Sequence, residues 1–233
     1  MFTLVIGGSA SGKSEYAERL VLSLGGSRRR IYIAAMEPFG AEARERIARH
    51  QAMRRDRGFE TVECYRDLHR AVIPAGVSVL LEDMGNLAAN EMFENAGTGA
   101  EARTRQREEA VVGKILQGVD GLQARCSHLT IVTNEIFSGG RAYAGETLRY
   151  LRVLAAINRA LAERADRVVE VECGIPCDAS GIQGMGPEMH RIVENLRKTP
   201  AVERQTMAPC AGHRRIVHLQ QKACFREEAT VND

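Results

Sequence analysis

The chain has 233 residues, 44% of them hydrophobic and 27% charged, with a net charge of +2, which suits one α/β domain with a sizeable core. The balanced charge and 5% aromatic content argue against a nucleic-acid partner, which needs a basic field and stacking surface. No apolar run reaches bilayer length and no leader precedes the first strand, so no membrane insertion and a cytoplasmic location are expected, with the six scattered cysteines reduced.

Residues 2–6, Phe2-Thr3-Leu4-Val5-Ile6, form a short β-prone run that predicts a buried strand. Gly7-Gly8-Ser9-Ala10-Ser11-Gly12-Lys13-Ser14 follows and reads G-x-x-x-x-G-K-S, the phosphate-binding loop. Gly7 and Gly12 let the backbone bend tightly and approach an anion with no Cβ in the way. Successive N–H groups then surround phosphates, Lys13 adds a cation near the outer ones, and the Ser14 hydroxyl suits Mg²⁺. The helical composition after Ser14, running to about Leu24, puts this loop at a helix N-terminus, where the dipole favours an anion. The alternative is a Gly/Ser-rich turn with an incidental lysine.

A second strand is expected over 30–35 and a turn at Glu37-Pro38-Phe39-Gly40. Residues 41–57 predict a very polar helix with His50 on the face of Ile47, flanked by Arg46, Arg49 and Arg54. Most of those charges read as a solvated face. Residues 59–64 predict a short strand, 67–72 a short helix, and 77–81 an apolar strand closing on Glu82-Asp83. A carboxylate there can orient Mg²⁺ in a P-loop site; it can also be a plain helix N-cap.

Helices are expected over 84–95, 103–125 (Val112, Leu116, Val119 and Leu122 on one side) and 146–165 (Leu151, Leu154, Ile157 and Leu161). Strands are expected over 129–135 and 167–171, the latter the last clear one. Strands alternating with helices predict α/β architecture, a mostly parallel sheet with helices on both faces, P-loop NTPase-like and RecA-like. Ligands sit at the C-terminal strand ends of such sheets, where Ser9–Ser14, Glu82 and Asn134-Glu135 fall.

Taken together, several stretches resemble the bifunctional adenosylcobinamide kinase / adenosylcobinamide-phosphate guanylyltransferase family. They are the loop Gly7–Ser14, Tyr32-Ile33-Ala34-Ala35-Met36, Arg46-Ile47-Ala48-Arg49-His50, Thr61-Val62-Glu63, Leu80-Leu81-Glu82 with Asn90, Val132-Thr133-Asn134-Glu135, Asn158-Arg159-Ala160-Leu161-Ala162 and Gly174-Ile175-Pro176. The resemblance implies two reactions. A γ-phosphoryl group passes to the aminopropanol hydroxyl of adenosylcobinamide. GMP from GTP is then attached to that phosphate through a guanylylated histidine, which by motif is His50. By itself a lone helical histidine is more often structural.

The resemblance also implies that Ala34, Ala35 and Met36 lie beside the nucleotide and that Gln51, Ala52, Met53, Arg54, Glu63 and Glu82 surround the guanine nucleotide, with Arg49 and Arg54 balancing phosphate charge. For Glu63 the plainer reading is a solvated strand-end acid. ATP and GTP are the implied substrates, Mg²⁺ on Ser14 and Glu82 the implied metal, and a homo-oligomer the implied assembly. Two other readings keep the loop: a kinase-only enzyme acting on another small hydroxyl, with no use for His50, and a nucleotide-sensing ATPase module.

The kinase/guanylyltransferase domain is expected over 1–176. Residues 177–233 read as an irregular C-terminal extension with one helix over 187–198. Cys173-x-x-x-Cys177 and Cys210-x-x-His213 are spaced too loosely to support a zinc site by themselves.

Overall fold

Alternation along the central strands decides the layers. In β1 (Phe2–Gly7), Phe2 and Leu4 point into one apolar cluster and Val5 into another. The same holds in β2 (Arg30–Ala34), with Ile31 and Ile33 on one side and Tyr32 on the other, and in β4 (Ser78–Glu82), with Val79 and Leu81 against Leu80. A strand buried on both faces must be apolar throughout, which is why these segments read as continuous runs.

This computed structural model describes residues 1–25, 29–37, 54, 56–93, 101–137 and 143–179. The remaining elements are α1 (Lys13–Gly25), β3 (Phe59–Glu63), a 3₁₀ turn (Leu68–Arg70), α2 (Met84–Phe93), α3 (Glu101–Gln123), β5 (His128–Asn134), α4 (Gly145–Arg164), β6 (Arg167–Glu172) and β7 (Ile175–Asp178). Helix α1 covers one face of the sheet through Ala17 and Val21. Helices α2, α3 and α4 cover the other through Leu87, Ile115 and Leu154, among others. The expected mostly parallel α/β sheet with helices on both faces is therefore the observed one.

The strand order is β3-β2-β4-β5-β1-β6-β7, parallel except for the β6–β7 pair. Register aligns the C-terminal ends: Gly7 pairs with Asn134, and Ala34 pairs with both Glu63 and Glu82. One strand, β5, separates the loop strand β1 from the acid-bearing β4.

Two expectations need correction. β6 is followed by a further strand: β7 returns antiparallel from the Cys173-Gly174 turn, where both residues have positive φ (50° and 76°). Those angles suit a two-residue hairpin whose twist matches its strands. β7 runs through Pro176, where the domain edge was expected. On α3 the most deeply buried residues are Val111, Ile115, Val119 and Leu122, whereas Val112 and Leu116 are only partly buried. The doublets at 111–112 and 115–116 fit either stripe in sequence, and packing against the sheet selects the first.

Most of the expected turn at 37–40, most of the helix at 41–57 and the helix at 187–198 lie outside the described residues. Residues 54 and 56 are helical. Among the described residues no helix is long and apolar enough to cross a membrane.

Candidate active site

The loop between β1 and α1 is held open by its glycines. A Cβ on Gly7 would fall 2.5 Å from Ser11 Oγ and 2.6 Å from the Val171 carbonyl oxygen of β6. Gly12 has φ +84°, and a Cβ there would meet Gly174 Cα at 3.1 Å. The Gly174 N–H in turn donates to the Ser11 carbonyl at 2.8 Å. The β6–β7 turn thus braces the loop from behind, while Ser9 and Ala10 face solvent. Lys13 Nζ donates to the Gly8 carbonyl at 3.0 Å, folding its cation back over the loop. Backbone N–H groups, a lysine and a helix N-terminus around one opening make an anion cradle.

Glu82 closes the other side. Its carboxylate accepts from the Ser14 hydroxyl and, at 3.0 Å, from the Tyr32 hydroxyl. Burial pushes its pKa up, and the neighbouring Asp83 charge adds to this; Ser14, Arg54 and Tyr32 pull it down. Hydroxyl and carboxylate oxygens meeting beside the loop form a hard donor pair of the kind Mg²⁺ takes.

Asp83, joined to Glu82 by a cis peptide bond, caps α2. Its Oδ1 accepts from the Asn86 N–H at 2.7 Å and its Oδ2 from Asn86 Nδ2 at 3.1 Å. Asn134 and the Gly85 N–H also donate to it, and Lys13 attracts it electrostatically. Burial nonetheless holds its pKa above the usual carboxylate range. Asn134 is anchored from α4, where Asn158 Nδ2 donates to its carbonyl at 3.3 Å and Asn158 Oδ1 accepts from Thr133 at 2.6 Å.

The third wall is built from β2 and β3. Ala35 continues the pairing beyond β2, its N–H donating to the Glu82 carbonyl at 3.0 Å. Asn90 Nδ2 donates to the carbonyls of Ala35 (2.9 Å) and Tyr65 (3.0 Å), tying the exits of β2 and β3 together. Glu63 is exposed and accepts from the Tyr65 hydroxyl at 2.7 Å. Met36 follows, partly buried. Arg54 lies beside Tyr32, its guanidinium 3.6 Å from the ring centroid.

The structure therefore brings together Gly7, Gly8, Ser9, Ala10, Ser11, Gly12, Lys13, Ser14, Glu82 and Arg54 around one opening. Ala34, Ala35, Met36 and Glu63 lie along the same sheet edge. His50, Gln51, Ala52 and Met53 lie outside the described residues. Sequence reasoning gave no site role to Tyr32, Glu18 or Asn158. Glu82 points to Tyr32, which is two residues away across adjacent strands, whereas Glu18 looks like any helix-surface acid.

The family model described as cobinamide kinase / cobinamide phosphate guanyltransferase matches residues 3–179. The chain belongs to this family. A bifunctional adenosylcobalamin biosynthesis protein, CobU, of Escherichia coli is 30% identical over 181 residues, covering 75% of this chain and 97% of its own. The CobU of Salmonella typhimurium is 30% identical over 184 residues with the same coverage, and the CobP of Pseudomonas aeruginosa is 28% identical, covering 78% of this chain and 98% of its own. Among solved structures, an ATPase of a bacterial type III secretion system aligns with 83% of this chain and 61% of its own at 11% identity and TM-score 0.43, too slight a likeness to argue from. The cobinamide kinase family match ends one residue beyond β7, so its matched stretch includes the bracing hairpin.

Proposed function

We infer that this chain carries out both reactions named for its family: phosphorylation of the aminopropanol hydroxyl of adenosylcobinamide, then transfer of GMP from GTP to the new phosphate. The observation that carries the reading is the meeting of the Gly7–Ser14 loop with Glu82 at one sheet edge, in a chain of this family.

In the first reaction the substrate hydroxyl oxygen attacks the γ-phosphorus of a nucleoside triphosphate, and the nucleoside diphosphate leaves. The loop N–H groups and Lys13 hold the phosphates and offset charge spreading onto them. Ser14 and Glu82 are the residues that would hold Mg²⁺, which when bound neutralises phosphate charge. In the second reaction a neutral nitrogen of His50 attacks the α-phosphorus of GTP, forming a P–N bond as pyrophosphate leaves. A phosphate oxygen of adenosylcobinamide phosphate then displaces the histidine, giving adenosylcobinamide-GDP. Arg54 balances phosphate charge, Ala34, Ala35 and Met36 line the nucleotide, and Gln51, Ala52, Met53 and Glu63 surround the guanosine. The expected setting is a cytoplasmic homo-oligomer without a nucleic-acid partner, with domain limits near 1–176 and a C-terminal extension.

The test is incubation with Mg²⁺ and GTP labelled at the α-phosphate, with His50→Ala run alongside. Acid-labile, base-stable label on the parent and none on the variant supports the guanylyl-histidine. An unlabelled parent that still phosphorylates adenosylcobinamide would keep the first reaction and remove the second.

A further inference from the structure

Asn158 stands where the pattern of α4 calls for an apolar residue. It lies four residues after Leu154 and three before Leu161, on the stripe that packs against the sheet, and it is 0% exposed. Asparagine is a poor helix former, and a buried amide costs free energy unless its hydrogen bonds are made. Here they are made, and both go to the end of β5. Thr133 follows Leu129 and Ile131 in the row facing α4, and its hydroxyl donates to Asn158 Oδ1 at 2.6 Å. Asn158 Nδ2 donates to the Asn134 carbonyl at 3.3 Å.

The peptide joining Asn134 to Glu135 is thereby held at both edges. Its carbonyl accepts from Asn158, and its N–H donates at 2.9 Å to the carbonyl of Gly7, the first residue of the phosphate loop. The Asn134 side chain reaches across to the end of the neighbouring strand β4 and donates to Asp83. The Asn86 and Gly85 N–H groups donate to the same carboxyl, and Lys13 attracts it electrostatically. Lys13 itself rests on the Gly8 carbonyl at 3.0 Å, beside the place of the outer phosphates.

We propose that Asn158 is a positioning residue for nucleotide binding: it orients the end of β5 so that Asn134 satisfies Asp83, which leaves Lys13 to the phosphates. This rests on the loop being the triphosphate site of the proposed function. Without Asn158 the Asn134 carbonyl loses its donor and turns toward water, taking its peptide and side chain with it. A carboxyl group that loses one of its donors takes the nearest replacement. Beside Asp83 that replacement is the Lys13 ammonium, and an ion pair between the two withdraws the cation from the triphosphate. A purely structural amide would behave differently. Replacing both partners of a buried pair by apolar groups of the same shape is nearly neutral, so affinity would be unchanged.

The experiment uses the full chain and measures Mg²⁺-GTP affinity by calorimetric titration, with urea unfolding alongside. The variants are Thr133→Val/Asn158→Leu and Asn134→Ala, each with and without Asp83→Asn, which keeps a capping side chain on α2 but removes the charge. The apolar pair should unfold near the parental midpoint yet bind Mg²⁺-GTP roughly tenfold more weakly, and Asn134→Ala should show the same loss. Adding Asp83→Asn should bring both to within about threefold of Asp83→Asn alone. Asn134 is only partly buried, so its variant tests the idea even if the apolar pair folds poorly. Parental affinity in the apolar pair or in Asn134→Ala overturns the proposal; so does a loss that Asp83→Asn leaves in place. A parent that binds no Mg²⁺-GTP overturns the reading of the loop itself, so the two failures are told apart.

Discussion

The Tyr32 hydroxyl donates to Glu82 Oε2 across 3.0 Å, from the strand next to Glu82 and two residues short of it in register. Burial and then the Glu82 charge push the phenol well above its ordinary pKa. A phenol held that high stays protonated wherever the protein is folded and working, so it is a permanent donor to the carboxylate. Glu82 is pulled in two directions, up by burial and down by Ser14, Arg54 and Tyr32. An ion-binding carboxylate enclosed in this way needs such donors to stay ionised.

Tyr32→Phe removes one of them. Because that donor lowers the Glu82 pKa, its loss raises the pKa further, and the acid limb of Mg²⁺-nucleotide binding moves to higher pH. Binding on the alkaline side should be nearly kept, and stability should fall by about 1 kcal/mol. Titrating nucleotide affinity against pH for parent and variant tests this; an acid limb that does not move refutes it.

Most of the scaffold was legible because burial on both faces leaves an unmistakable apolar run, as in Val79-Leu80-Leu81, and because the phosphate loop has a fixed spacing. β7 was not, since all four of its residues are exposed and one is a proline. Its hairpin turn is Cys173-Gly174 rather than the usual Asn-Gly, so period, composition and turn signals were all missing. Glu18 was invisible for another reason. An acid on α1 becomes a buried ion-pair partner only once Arg54 and Arg57 arrive from elsewhere, and pattern along a helix carries no information about that.

Gly7→Ala should abolish nucleotide binding while leaving a folded protein. The new Cβ would sit 2.6 Å from the Val171 carbonyl oxygen and 2.5 Å from Ser11 Oγ. Serine can rotate away but a strand carbonyl cannot, so the loop must move off the β6–β7 hairpin. Overpacking of this kind costs about 1–3 kcal/mol. Calorimetric titration with Mg²⁺-GTP checks it, and wild-type affinity would show that the brace is dispensable.

Lys114→Met tests the polar seam beneath α2. The Glu91 side chain is 2% exposed; it pairs with Lys114 at 2.6 Å and accepts from the Asp67 N–H at 2.6 Å. Lys114 also reaches Asp67 at 2.5 Å, holding the Asp67 carboxyl below the usual range. Removing the lysine strands a buried carboxylate, so urea unfolding should show a loss of roughly 3–5 kcal/mol. Glu91→Gln in the same background should restore much of it, and a loss under about 1 kcal/mol in the single variant would mean the pair is effectively solvated.

Glu82→Gln should separate stability from function. The folded pKa of Glu82 is raised, so its contribution to stability is fully present below the ordinary carboxylate pKa and is lost as pH rises through the folded value. Ionising it in the folded protein without a metal costs desolvation. The glutamine variant does not titrate, so above that window it should melt higher than the parent when no nucleotide is present. Adding Mg²⁺-GTP should reverse the order. The parent gains about 2.7 kcal/mol at a hundredfold excess over its Kd, and a variant without the carboxylate gains little. Phosphorylation should drop roughly a hundredfold. Thermal melts at several pH values, with and without Mg²⁺-GTP, read both effects. A variant that melts below the apo parent at alkaline pH, or that is stabilised by Mg²⁺-GTP as strongly as the parent, would show that Glu82 serves the fold and not the metal.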